Sequence, residues 1–147
     1  PGSAQAIVDW MNKDGVSHGH LSFSIDELPP TVNHMYKSAG KGRRVLTEKY
    51  EQFKESVAYE LSDANWNPKG CLMVLVFLES PSWLTKKDTM RDWDADNRLK
   101  ALLDSIQDAT DVPDCTNWEI HVWKISSNQT QTSVHIFDLG DIVHHIA

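Results

Sequence analysis

The sequence predicts an α+β domain: one mixed sheet, two main helices packed on it, and a short helix ahead of them. Three observations predict it. Residues 71–78 (CLMVLVFL) form an unbroken apolar run between Gly70 and Pro81, the pattern of a central strand covered on both faces. Two stretches carry apolar residues at helical spacing: Tyr50, Phe53, Val57 and Leu61, then Leu99, Leu102, Leu103 and Ile106. Three further segments read as strands: 21–25 (LSFSI), 118–125 (WEIHVWKI) and 131–137 (QTSVHIF). A length of 147 residues suits one domain.

The elements follow in order. Ala4, Ile7, Val8 and Met11 fall on one helical face over residues 4–14, with Ser3 to cap the helix and Gly15 to end it. Ile7, Val8 and Met11 can bury against the chain's own core or against a second copy. The strand at 21–25 stops at Pro29 and Pro30. Residues 37–45 read as a Gly- and Lys-rich loop. Thr47 caps a helix running from Glu48 to about Asp63. After the central strand, 80–93 reads as a long polar, basic loop. The second helix ends near Pro113. The last two strands, separated by Ser126-Ser127-Asn128-Gln129, read as a hairpin.

No window approaches the roughly 18 apolar residues of a membrane span, so no membrane partner is expected. The start lacks a basic segment followed by an apolar core, so no signal peptide is expected. Pro1, Gly2 and Ser3 read as a cloning remnant. Cys71 and Cys115 form neither a disulfide framework nor a CxxC knuckle, and Cys71 opens an apolar run as a small buried hydrophobe would. The expected compartment is a reducing cytoplasm.

The net charge is −7, from 14 Lys and Arg against 21 Asp and Glu. Spread evenly, that charge would argue against a phosphate-binding protein. It is not spread evenly. Lys37, Lys41, Arg43, Arg44, Lys49 and Lys54 cluster with only Glu48 and Glu51 against them, and Lys86, Lys87 and Arg91 form a second basic group. Between Asp92 and Glu119 the sign reverses: eight acids face only Arg98 and Lys100. An acidic knot between basic loops can bind a polyanion through a divalent cation and lysines; both regions could equally be solvated surface.

The sharpest feature is Asp92-Trp93-Asp94-Ala95-Asp96-Asn97-Arg98-Leu99-Lys100, where an extended loop enters the second helix. Asp94 and Asp96 alternate and can converge. Asp96, Lys100 and Asp104 follow at i, i+4, i+8, roughly one helix face. Two hard oxygen ligands suit Mg²⁺ or Mn²⁺, a lysine suits developing phosphate charge, and Asp114 can supply a third carboxylate. That set meets the needs of metal-assisted phosphodiester hydrolysis. Simpler roles exist: Asp96 as a helix cap, worth about 1 kcal/mol, and Lys100 paired with Asp96 or Asp104 for about 0.3–0.5 kcal/mol. An EF-hand reading fails, because Asn97 stands where glycine is required and Leu103 where the bidentate Glu must be. No HExxH, GxSxG, Walker or GxGxxG motif occurs, neither cysteine is marked as activated, and His18, His20, His144 and His145 read as loop and tail residues.

Leu28-Pro29-Pro30-Thr31-Val32-Asn33-His34-Met35-Tyr36 resembles the opening signature of RusA-like Holliday junction resolvases: a proline pair, then Asn and Tyr, directly after the first strand. Asp94-Ala95-Asp96-Asn97-Arg98-Leu99-Lys100 resembles that family's D-x-D-N-x-x-K core, and Asp104 continues it. The order of motifs agrees over roughly residues 20–138. The resemblance implies a RusA-like fold and a homodimeric, Mg²⁺-dependent endonuclease acting on branched DNA, with paired nicks in four-way junctions. Asp94, Asp96 and Asp114 would be metal ligands; with Lys100 they would form the catalytic set. Asn33, Tyr36, Lys37, Lys41, Arg43, Arg44, Lys86, Lys87 and Arg91 would contact DNA. The implied layout is a remnant at 1–3, a helical extension at 4–19, the endonuclease domain at 20–140 and a tail at 141–147, in a cytoplasmic, nucleoid-associated protein.

The chain departs from the family at two points, one of them the N-terminal helix before residue 16. The adjacent acid pair usual after the second helix reads Asp114-Cys115, and thiol sulfur is a poor Mg²⁺ ligand. A catalytically degenerate junction-binding module is therefore the alternative reading, and a small nucleotide phosphohydrolase using the same acids a further one. Six tryptophans are many for this length. Trp66, Trp118 and Trp123 are expected in or near the core. Trp83 and Trp93 could stack on unpaired bases, at about 1–3 kcal/mol each, or cover the sheet edge.

Overall fold

The computed structural model describes residues 5–6, 8–9, 19–84, 86–87 and 95–140. They form β1 (Gly19–Ile25), β2 (Tyr36–Ser38), β3 (Arg44–Leu46), α1 (Glu48–Glu60), β4 (Leu72–Ser80), α2 (Asp96–Thr110), β5 (Asn117–Ser126) and β6 (Gln131–Asp138). Single 3-10 turns occupy Val32–His34, Pro81–Trp83 and Asp114–Thr116. The result is the α+β, mixed-sheet architecture the sequence predicts.

The apolar run is one of the sheet's two interior strands. The order is β1-β6-β4-β5, so β4 has a neighbour on each side. It pairs antiparallel with β6 and parallel with β5. Both faces of β4 are buried, which is why its sequence is continuously apolar and not alternating.

The expected hairpin of the last two strands is corrected. β5 and β6 lie on opposite sides of β4, and the link between them passes β4's end. There Ser127 N–H donates to Ser80 O at 3.4 Å, and Ser127 Oγ donates to Glu79 Oε2 at 3.1 Å. An apolar strand left on an edge would expose a row of unpaired backbone groups. Flanking it on both sides removes that exposure.

Helices α1 and α2 cover one face of the sheet. Phe53, Val57 and Leu61, with Leu102 and Ile106, bury against Val74, Val76, Leu78, Val134 and Ile136. Leu102→Ala in this layer should cost about 2–5 kcal/mol, read by denaturant unfolding. α1 begins as expected at Thr47, whose Oγ1 accepts from Tyr50 N–H at 3.2 Å. It ends earlier than expected, at Glu60, where Ser62 N–H and Oγ both turn back to Tyr59 O.

On the opposite face Met73, Leu75, Phe77, Phe137 and Leu139 gather around Val8. Gln5, Ala6, Val8 and Asp9 are helical, and Val8 is buried against the chain's own core. Ile7 and Met11 of the same expected face lie outside the described residues, as do 1–3 and 141–147. His20 and His135 also stand on this face. Their rings stack, His20 Nε2 and His135 Nδ1 are 3.0 Å apart, and His20 stacks on Phe137.

The basic 37–45 segment is a β-hairpin and not an irregular loop. β2 and β3 pair in register Tyr36↔Leu46, Lys37↔Val45 and Ser38↔Arg44. Arg43 N–H donates to Gly40 O across a turn whose central residues, Lys41 and Gly42, both have positive φ. That is the backbone a tight hairpin requires, and it sets Lys41 at the tip. One tryptophan expectation changes, and for Trp83 one of the two alternatives is taken. Trp118 is 52 % exposed, and Trp83 is buried with its Nε1–H donating to Leu78 O at 2.8 Å. Trp83 covers the end of the sheet and has no open face for a base. Trp66 is half-buried against the core and Trp123 tilts against Phe77. Trp93 lies outside the described residues. Cys71 is buried as expected, and Cys115 is exposed.

Candidate functional site

β4 and β5 are parallel, so the chain between them must return along the sheet, and α2 makes that return. Its N-terminus therefore lies toward the C-terminal ends of the parallel pair, where such folds concentrate their chemistry. Its far half meets Leu72, Asn117 and Ile136 at the other end. Arg98 fastens the near end: its Nη1 donates to Pro29 O at 2.7 Å, and its guanidinium lies 6.0 Å from the Trp83 ring. The proline pair after β1 thus abuts the first turn of α2. Arg98 was not among the candidates; an arginine inside an otherwise acidic segment was the available signal, and the structure shows it half-buried.

Asp96 is the first residue of α2 and is exposed. The N-cap is Ala95, so Asp96 is not the capping residue. A carboxylate in the first turn still suits the positive end of the helix dipole. Asp94, Arg91 and Trp93 lie outside the described residues. One turn on, Lys100 Nζ donates to Asp104 Oδ2 at 3.0 Å, so Asp104 is the partner Lys100 takes. That bond and the Asp104 charge hold the Lys100 ammonium above its ordinary pKa, with smaller contributions from Tyr36 and Asp114.

Asp114 stands in the 3-10 turn after α2, and its backbone N–H donates to Gln107 Oε1 at 2.8 Å. From Asp96 to Gln107 the helix rises about 16 Å. Asp96, Lys100, Asp104 and Asp114 therefore form a row along α2 and not one cluster. Among the described residues, no three His, Cys, Asp or Glu side chains gather closely enough to hold a metal ion. The donor chemistry, hard carboxylate oxygen, suits Mg²⁺ or Mn²⁺; the described acids of one chain do not complete a three-ligand centre.

The basic hairpin stands beside this row. Met35, Tyr50 and Ala101 form a small buried cluster with Leu46 against it, which ties the hairpin root to both helices. Thr47 Oγ1 donates to His34 O at 2.6 Å and fixes the same junction. Asn33, Tyr36, Lys37, Lys41, Arg43 and Arg44 are all exposed, and the Arg44 guanidinium lies 5.1 Å from the Tyr36 ring centre. Lys86 and Lys87 are exposed in a turn beyond the end of β4.

Behind the row sits Tyr50, 1 % exposed. Burial pushes its hydroxyl up to about 12, the charges of Asp104, Tyr36 and Asp108 add to this, and a hydrogen bond with Ser105 opposes it. Lys54 pairs with Asp108 and lies 5.2 Å from the Tyr50 ring centre. Tyr50 was expected only as core, because a helical apolar stripe gives no sign of which member borders charged groups.

A helix presenting acids and a lysine beside a basic arm is an arrangement for handling phosphate. A family comparison matches residues 27–137 to the model described as Endodeoxyribonuclease RusA. The chain belongs to the RusA family of endodeoxyribonucleases. No curated protein matches the chain.

Proposed function

We propose that this protein resolves four-way DNA junctions by paired nicks, as a homodimer dependent on Mg²⁺, with Mn²⁺ as a substitute. The observation that carries this reading is the Asp96–Lys100–Asp104 row beside an exposed basic hairpin, in a chain of the RusA family. Lys37, Lys41, Arg43 and Arg44, joined by Lys86, Lys87 and Arg91, hold backbone phosphates, and Asn33 and Tyr36 meet the DNA at the hairpin root. Lys100 opposes the negative charge that builds on the scissile phosphate. Asp94 and Asp96 hold the cation, which when bound would lower the pKa of the attacking water and neutralise the phosphate. Asp114 is the third acid. In this reading its contribution comes from a second copy, and the homodimer becomes a condition of cutting.

Cleavage of a synthetic four-way junction with product mapping tests this. Symmetric nicks with Mg²⁺ or Mn²⁺ are expected; junctions left intact with both metals overturn it. Asp96→Asn and Asp114→Asn should each lower cutting by about a hundredfold or more while junction binding persists. A mixture of the two variant chains should recover nicking. In a mixed dimer, one centre combines the intact Asp96 of one chain with the intact Asp114 of the other. An inactive mixture would place all three acids on one chain.

One observation favours a second reading, a junction-binding module that no longer cuts. Cys115 is exposed in the same turn as Asp114, where the family's second acid stands. On that reading the wild type binds junctions without nicking them, and Cys115→Asp gains activity.

A further inference from the structure

The geometry points to Tyr50 and Asp104 as positioning residues that hold Lys100 in place for the reaction, an inference that rests on the nuclease reading above.

Lys100 has a long, flexible stem, and its side chain is 60 % exposed. A lysine so placed samples many rotamers unless something fixes its ammonium. Asp104 Oδ2 accepts from it at 3.0 Å, one turn further along α2. A lone pair of this kind on a helix surface is common and weak. What distinguishes this one is the support behind the carboxylate.

Tyr50 fills the seam between α1 and α2, packed on Met35 and Ala101. Ser105, the residue next to Asp104, is buried and donates its Oγ–H to the backbone O of Ala101, against which Tyr50 packs, and the charges of Asp104 and Asp108 both act on the Tyr50 hydroxyl. Lys54 pairs with Asp108 and lies beside the Tyr50 ring. With Asp108 taken by Lys54, Asp104 is left to Lys100. The Tyr36 ring meets Tyr50 edge-on, with centroids 6.1 Å apart, and Arg44 flanks Tyr36. A chain of rings and cations thus runs from the exposed hairpin to the interior of the helix pair, and the Lys100–Asp104 bond lies alongside it. Tyr50 is too buried to touch DNA, so it acts through its neighbours.

The test compares wild type with Asp104→Asn, Asp104→Glu and Tyr50→Phe, each alone and in a Lys100→Ala background, under single-turnover conditions. Asp104→Asn should slow cutting by about tenfold or more, with junction Kd within about twofold of wild type. Asp104→Glu should restore part of the rate. Tyr50→Phe, which keeps the ring, should slow cutting by about threefold. In the Lys100→Ala background both losses should vanish, since a residue acting through Lys100 has nothing left to position. Losses that persist there, or wild-type rates in both single variants, overturn the proposal.

A second readout needs no cutting. The acylation rate of Lys100, followed by peptide mass spectrometry, should rise in Asp104→Asn because the ammonium loses the negative charge that holds it protonated and in place. Equal rates in wild type and Asp104→Asn overturn the proposal. If wild type cuts no junction, the nuclease reading falls, while the acylation result still decides whether Asp104 holds Lys100.

Discussion

Tyr50 shows how much a single residue can join. It is at once a member of the α1 stripe, the floor of the hairpin root and the neighbour of two carboxylates. Its raised pKa is a statement about stability. Below pH 10 the hydroxyl is protonated in both the folded and the unfolded chain. Above pH 10 the unfolded chain releases the proton while the folded chain keeps it to about 12, so stability falls over that interval. The loss attributable to Tyr50 should be on the order of 2 kcal/mol. Chemical denaturation of wild type and Tyr50→Phe from pH 9 to 12 checks it: the variant should lose less. Gly70 shows the opposite economy. A Cβ there would meet Gly140 O at 1.7 Å, because the strand exit at 140 lies against it and Cys71 N–H bonds the same carbonyl at 2.9 Å. The glycine marks a crossing of backbones. Thr47 was legible as a cap from its place before an amphipathic stripe. Trp83 was less so: a tryptophan in a basic loop looks the same in sequence whether its ring faces a base or Leu78 O.

Among the elements, those with a one-dimensional signature were the ones that could be read. β4 announced itself by an unbroken apolar run, and α2 by its spacing, with Leu102 and Ile106 buried as the stripe requires. The β2–β3 hairpin did not. Its strands have three residues each, nearly all exposed, so no alternation of burial imprints a pattern on them. The Gly40-Lys41-Gly42 turn was the only cue. Strand pairing was also hidden. β5 and β6 are adjacent in sequence with a short polar link, which usually means a hairpin, but both edges of β4 had to be filled. The acid row was legible in type and spacing. Its extension along α2 followed only from the helix that carries it: Asp114 returns beside Gln107 and not beside Asp96.

At the scale of the molecule, the net charge of −7 ceases to be an objection to DNA. The basic residues of the hairpin are exposed on an arm of their own, while the acids follow α2 and the turn after it. Junction affinity, measured by fluorescence anisotropy with Lys100→Ala to prevent cutting and the acids left intact, should rise when Mg²⁺ is added to metal-free protein, because part of the repelling field is neutralised. No change, or a fall, would count against a cation at the row. Acid should loosen the opposite face. Burial lowers the pKa of both His20 and His135 below 6.5, and the two rings share one hydrogen bond that needs a neutral partner. As pH falls below 6.5 the unfolded chain takes up protons before the folded one does, so stability declines with pH. Tm measured between pH 7 and 5 should fall more steeply for wild type than for His135→Gln. Among the described residues, no helix is long and apolar enough to cross a membrane.

The order β1-β6-β4-β5 sets a timetable for the chain as it is made. β6 is the last strand, yet it is the neighbour of both β1 and β4, and Gly19 must meet Asp138. Until residues 131–138 emerge during synthesis, β1 has no strand in this sheet to bond, and one side of the apolar β4 stands open. Helices α1 and α2 can form early from local contacts, but the sheet closes only at the end, through pairings of long sequence separation that make folding slow. A chain ending before Gln131 would hold every residue of the acid row and the basic hairpin, and would present β4 as an open, aggregating edge.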